Sequence, residues 1–254
     1  MKKELSYYGA TDTGVVRKNN EDTFSIAPVW GGDYLLMVVV DGCGGYEGGE
    51  VASAIARDEI VAFLTGYSKE ASRLSLLEEA VCIANNKIVR RREESKKLSS
   101  MGCVLTAAVI DRANGLLLLS HVGDTRCYLF AGGTLRKLTR DHSLVGELED
   151  AGAMSEKEAM NHPRRSVIDR MVGEEYHQLD DGFVDSTIIP LPDDYSILIC
   201  SDGLTDLVSS AEIKGILKTD YSAEEKTRCL IEYANKKGGK DNVTIVIAET
   251  EPID

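Results

Sequence analysis

The chain has no apolar run long enough to matter to a membrane. The longest continuous one, residues 35–40, falls far short of the ~20 residues that a spanning helix requires. No apolar stretch follows Met1-Lys2-Lys3-Glu4-Leu5-Ser6, so no signal peptide is visible and a cytoplasmic protein is expected. The C-x-x-C spacing is missing as well. The six cysteines, Cys43, Cys82, Cys103, Cys127, Cys200 and Cys229, sit mostly within apolar runs, which argues for buried reduced thiols and against a disulfide framework or zinc site. Positive charge is scarce: 29 Lys+Arg stand against 42 Asp+Glu, for a net charge of −13. A general nucleic-acid binder needs a basic face, and so does a protein held at an anionic membrane surface. Neither partner is expected. Repeats, low-complexity tracts and Pro/Ser linkers are absent, so residues 1–254 read as one domain; a monomer is expected.

What the chain does have is an apolar fraction of 43%, ample for a core, and four aspartates at the tips of strand-like runs. Asp41, Asp124 and Asp202 close such runs, and Asp241 opens one. In an antiparallel sheet the end of one strand lies beside the start of its neighbour. The pattern therefore predicts that the four carboxylates gather on one edge of a sheet. Clustered carboxylates repel unless a cation or protons neutralise them. An all-oxygen ligand set suits a hard ion such as Mg²⁺ or Mn²⁺.

Strand-like runs occur at 5–11, 23–27, 34–40, 103–111, 115–122, 125–131, 183–189, 195–201 and 242–249. Several are apolar on consecutive residues, which means both faces are covered, as in a sheet lying between another sheet and helices. Asn114-Gly115 and Gly132-Gly133 are hairpin signals. Helical periodicity spans about 48–65, 74–97, 209–218 and 223–237. Ser222 with Glu225 forms a capping-box pattern, and Gly238 a stop. The polar stretch 139–173 lacks a strand pattern, and Ser155-Glu156-Lys157-Glu158 predicts a short helix within it. It reads as a helical insertion or flap. This element order is α+β and layered, not alternating βαβ.

Arg17 falls in the loop before Glu21 and Asp22, at the edge where the aspartates are expected. A guanidinium there matches a phosphate bidentately. Two metals with an arginine suit phosphate-ester hydrolysis, because metals make hydroxide available near neutral pH and neutralise developing charge.

The chain resembles the metal-dependent protein phosphatase family (PPM, the protein phosphatase 2C type), especially its bacterial members. The matching segments are Thr11-Asp12-x-Gly14-x-x-Arg17-x-x-Asn20-Glu21-Asp22, Val40-Asp41-Gly42-x-Gly44-Gly45-x-x-Gly48-Gly49-Glu50, Met101-Gly102, Val122-Gly123-Asp124-Thr125-Arg126-x-Tyr128, Leu138-Thr139-x-Asp141-His142-Ser143, His162-Pro163-Arg164, Cys200-Ser201-Asp202-Gly203-Leu204-x-Asp206 and Gly239-x-Asp241-Asn242-Val243-Thr244. Each is weak alone, and together they run in the family's order along nearly the whole chain. The resemblance implies a four-layer αββα sandwich, two antiparallel sheets face to face with helices outside and a small flap. It implies a serine/threonine protein phosphatase that works through metal-activated water on phosphorylated proteins, opposing a cognate Ser/Thr kinase. It also implies roles. Asp41 bridges two Mn²⁺ or Mg²⁺ ions, with the Gly42 carbonyl on the first and Asp202 and Asp241 on the second. Asp124 with Asp202 holds a third, weaker ion. Asp22 acts mainly through bound waters, and Arg17 holds the phosphate. The flap helps choose substrates.

Two positions depart from the family pattern. Cys43 stands where other members carry His or Met, and Tyr46 stands where bacterial members carry a substrate-side His, which makes Tyr46 a candidate substrate contact. Plainer readings exist for single residues. Asp-Gly pairs are ordinarily turns, Arg17 alone is a surface arginine, and Cys43 an unreactive thiol. His121 reads as a core histidine, and His142 and His162 as caps in the flap. Gly44-Gly45 and Gly48-Gly49 lack the Gly-Lys-Ser/Thr of a P-loop. The rival functions are a two-metal hydrolase of small phosphate esters and a non-catalytic phosphoprotein-binding regulator.

Overall fold

In the computed structural model, residues 4–44, 48–66 and 73–251 are described. The elements in order are β1 (Leu5–Asp12), β2 (Thr23–Val29), β3 (Tyr34–Cys43), α1 (Gly49–Gly66), α2 (Arg73–Glu94), β4 (Gly102–Asp111), β5 (Leu116–Val122), β6 (Arg126–Ala131), β7 (Thr134–Lys137), α3 (Leu144–Asp150), α4 (Glu156–Met160), β8 (Asp185–Pro190), β9 (Ser196–Cys200), α5 (Asp202–Thr205), α6 (Ser210–Leu217), α7 (Ala223–Lys236) and β10 (Val243–Thr250). One five-stranded sheet runs β1-β10-β9-β6-β7 and the other β2-β3-β4-β5-β8. Every pairing in both is antiparallel.

The consecutive apolar runs have the expected cause. In β3, Leu35, Met37 and Val39 pack into the layer between the sheets, against Ile197, Ile199 and Val246. Leu36, Val38 and Val40 face the other way, onto Ala56, Ile60, Leu77 and Ala84 of α1 and α2. The second sheet is covered likewise, with Leu198, Ile245 and Ile247 packed on Ile213, Leu217 and Leu230 of α6 and α7. Three apolar layers thus separate four structural ones. Each buried Leu, Ile or Val contributes about 1.5–3 kcal/mol relative to exposure.

The two-residue period of β3 also aims Asp41. It follows Leu35, Met37 and Val39 in parity, so its carboxylate continues the inter-sheet face beyond the last apolar residue. Asp41 does not end the strand, as β3 runs on through Gly42 and Cys43.

Several boundaries differ from the expectation. Thr134–Lys137 carries too little apolar character to read as a strand, and it forms the short edge strand β7 after the Gly132-Gly133 turn. The helix expected over 74–97 stops at Glu94, with a 3-10 turn at Lys96–Leu98 following. The stretch 139–173 contributes no strand to either sheet and holds α3 and α4. Ser155 and Glu158 close the predicted capping box, as do Ser222 and Glu225. Ser143, not anticipated as a cap, accepts a hydrogen bond from the Gly146 N–H and starts α3. The end of this insertion returns to the sheet through a bridge between Cys103 and Val172. Among the described residues, no helix is long and apolar enough to cross a membrane.

Candidate functional site

Five aspartates converge at one end of the inter-sheet layer, but not on one edge of one sheet. Asp22 precedes β2, Asp41 lies in β3 and Asp124 follows β5, all in one sheet. Asp202 follows β9 and Asp241 precedes β10, in the other. The single-sheet expectation is therefore corrected. Adjacent-strand geometry holds within each sheet, yet the cluster needs both, because the pairing order that separates β3 from β9 is set by contacts far apart in sequence.

The groove between them has a volume of about 410 Å³, and Arg17, Asp41, Cys43, Asp124, Asp202 and Asp241 line it. Glu21, Asn242 and two flap residues, Ser166 and Ile168, line it too. Gly42 sits on its floor where no other residue fits, since a Cβ there would lie 2.2 Å from the Gly49 carbonyl oxygen. Tyr46 lies outside the described residues.

Asn242 assembles one wall. Its side-chain amide donates to the carbonyls of Thr13 and Asn19, both at 2.9 Å, and its Oδ1 accepts the Glu21 N–H at 2.9 Å. The Val15 and Val16 N–H groups both donate to the Gly239 carbonyl. The loop carrying Arg17 is thereby fastened to the start of β10. Arg17 Nη2 lies 2.7 Å from Asp241 Oδ2, while Asp241 Oδ1 accepts the Asn242 N–H. Ser201 ties the sheets together: its hydroxyl donates to Asp22 Oδ2 at 2.7 Å and accepts the Thr244 N–H at 3.0 Å.

The carboxylates strain against one another. Burial first, then repulsion from Asp22, Asp202, Asp124 and Asp241, holds Asp41 well above the usual carboxylate range. Asp202 is raised in the same way, by burial and by Asp124, Asp206 and Asp241. Burial pushes Asp22 up to about 6 against the opposing Ser201 hydrogen bond. It pushes Asp124 up to about 7, helped by Asp141 and opposed by Arg126. Such a cluster favours a compensating cation. Its donors are all oxygens, which fits Mg²⁺ or Mn²⁺. Among the described residues, no three acidic, histidine or cysteine side chains are arranged to hold an ion between them. Ions bound here would complete their shells with water, the usual habit of Mg²⁺.

Other expected residues fall as follows. Cys43 stays a thiol, since burial and then Asp124 and Glu21 push it up to about 12. His121 is a satisfied core histidine between Thr106 Oγ1 and the Gly123 carbonyl. His162 caps the Arg164 N–H. Asn242, Ser166, Ile168 and Asp206 were given no role by sequence. Asp206 shares a small cavity of about 30 Å³ with Asp124 and Asp202, and Arg165 of the flap reaches it at 2.5 Å. Asn242 and Asp206 lie inside the quoted motifs, so their spacing was visible. Ser166 and Ile168 carry no such mark.

The family model described as Protein phosphatase 2C matches residues 15–239. The serine/threonine phosphatase stp of Listeria welshimeri is 37% identical over 246 residues, covering 94% of this chain and 93% of that protein. Among solved structures, the Mycobacterium tuberculosis serine/threonine phosphatase PstP/Ppp superposes with a TM-score of 0.84 at 35% identity, covering 98% of this chain and 99% of that one. The PstP catalytic domain in complex with two manganese ions matches with a TM-score of 0.83 at 33% identity, covering 98% and 99%. The chain belongs to the protein phosphatase 2C family, with the bacterial serine/threonine phosphatases.

Proposed function

We propose that this protein hydrolyses phosphoserine and phosphothreonine in proteins, using two Mn²⁺ or Mg²⁺ ions held in the carboxylate groove. The observation that carries this reading is the convergence of five mutually repelling aspartates from two sheets beside an arginine. Asp41, the Gly42 carbonyl, Asp202 and Asp241 would hold the two ions. Asp124 with Asp202 would hold a third, weaker ion. When bound, the ions supply a hydroxide near neutral pH and offset charge developing on the phosphoryl oxygens.

The chain's own residues do the rest. Arg17 receives the phosphate through its planar fork, exchanging the Asp241 carboxylate for phosphoryl oxygens. Asp22, fixed by Ser201, orients water in the groove. The leaving alkoxide takes its proton from water in the groove. Ser166 and Ile168 present the flap to the peptide around the phosphorylated residue. The substrates are phosphoproteins marked by a cognate Ser/Thr kinase, and the enzyme acts as a cytoplasmic monomer.

The test is phosphate release from a phosphothreonine peptide. Release with Mn²⁺ that stops in EDTA and in Asp202→Asn supports the assignment. No release with any divalent ion contradicts it.

A further inference from the structure

Asp124 follows a glycine whose backbone has little freedom. Gly123 has φ +103°, and a Cβ on it would lie 2.1 Å from Val104 Cγ1. One residue holds both of its backbone polar groups. The Gly123 N–H donates to His142 Nδ1 at 3.0 Å, and the Gly123 carbonyl accepts the His142 N–H at 2.7 Å. The same carbonyl also faces His121 Nε2 at 2.9 Å.

The first of these bonds assigns the tautomer, because Nδ1 accepts and so carries no proton. The proton is on Nε2, which faces Asp185 Oδ2 at 3.2 Å. Asp185 is held in turn by Arg170, whose Nη1 also donates to the Phe183 carbonyl. The chain of contacts therefore runs Arg170, Asp185, His142, Gly123, Asp124. The His142 carbonyl accepts the Asp169 N–H at 2.7 Å, one residue from Ile168, which lines the groove. His142 itself does not line it.

We infer that His142 is a positioning residue that sets the Asp124 carboxylate, through its two-point hold on Gly123, and registers it with the groove-facing segment of the flap. The inference rests on the reading of Asp124 as a ligand of the weaker ion and extends it to the residue that aims that ligand. Partners that orient a metal ligand from behind typically contribute about 10–100-fold in metal affinity or activity.

The test combines Mn²⁺ binding, read from the electron paramagnetic resonance of free Mn²⁺, with kcat/KM on a phosphothreonine peptide. His142→Ala is expected to lose the weaker Mn²⁺ and about 10–100-fold in kcat/KM. His142→Asn, whose Oδ1 replaces Nδ1 as acceptor, is expected to keep both, while His142→Gln, which reaches Asp185 but not Gly123, is expected to lose both. These last two carry the test if His142→Ala does not fold. The double variant Asp124→Asn with His142→Ala is expected to be no worse than Asp124→Asn alone, as for two residues acting through one group. Losses that multiply, or His142→Ala and His142→Gln with full Mn²⁺ binding beside an impaired Asp124→Asn, would overturn the inference alone. An Asp124→Asn that changes neither binding nor turnover would overturn the ligand reading, and the inference with it.

Discussion

Arg17 and Asp241, 224 residues apart in sequence, form an ion pair at 2.7 Å across the mouth of the carboxylate groove. In the proposed function the same two groups hold a phosphate and a cation. Filling the groove would then exchange one pair for two separate contacts. Arg17→Ala removes the phosphate's charge-assisted partner, which is worth about 1.5–3 kcal/mol. A fall in kcat/KM of roughly 10–100-fold follows at 1.4 kcal/mol per decade. The same variant frees Asp241, so Mn²⁺ affinity should hold or rise. A parallel loss of Mn²⁺ binding on calorimetric titration would contradict this division of roles.

The buried carboxylates give metal stabilisation a pH dependence. Asp22 and Asp124 are raised from 3.8 to about 6 and about 7, and Asp41 and Asp202 move the same way. From about pH 4 to 7 the folded, metal-free protein binds more protons than the unfolded chain, so these groups cost stability increasingly as pH rises. A divalent ion cancels that cost and binds better as protons leave. The melting-temperature difference between Mn²⁺ and EDTA samples should be larger at pH 7.5 than at pH 5.0, by at least about 5 °C. His121, lowered to about 4 by burial, acts in the opposite sense but is common to both samples. A difference that shrinks with rising pH would contradict the cation reading.

Asn242 uses its side chain to bind three backbone groups of the Arg17 loop. Asn242→Ala leaves all three without that partner. At about 1 kcal/mol per hydrogen bond the expected destabilisation is about 2–3 kcal/mol. Because Arg17 loses its anchor, KM for a phosphopeptide should also rise. Urea denaturation and steady-state kinetics measure the two effects, and an unchanged KM would show that the loop keeps its place without this residue.

At the opposite end of the sandwich, Lys226 and Glu249 form a buried pair at 2.7 Å, and Ser196 also donates to Glu249. Lys226→Met strands a buried carboxylate and should cost about 3–5 kcal/mol, whereas Lys226→Met with Glu249→Leu should recover most of it. Turnover at 25 °C should match that of the unmodified enzyme in the double variant. A double variant as unstable as the single one would mean that the pair itself, not the stranded charge, stabilises the fold.

Much of this was legible in sequence because local physics sets it. The apolar period of β3 shows both that the strand is covered on two faces and that Asp41 points with Met37 and Val39. The capping boxes at Ser155 and Ser222 are read directly from residue types three apart. What was not legible depends on long-range pairing. Leu5 pairs with Thr250, and this topology, which no local pattern encodes, divides the aspartates between two sheets. The Arg17–Asp241 pair spans this topology, while the Arg165–Asp206 contact and the hold of His142 on Gly123 join the flap to other segments, and no local pattern marks them. Thr134–Lys137 stayed hidden because an exposed edge strand needs few apolar residues.

The most direct test is anomalous diffraction at the manganese edge from crystals grown with Mn²⁺. Two strong peaks are expected in the groove, both against Asp41, with Asp202 and Asp241 on the second and Arg17 turned away from Asp241. Manganese absent from the groove, or bound without touching Asp41, would contradict the central claim that these aspartates are gathered to hold the catalytic ions.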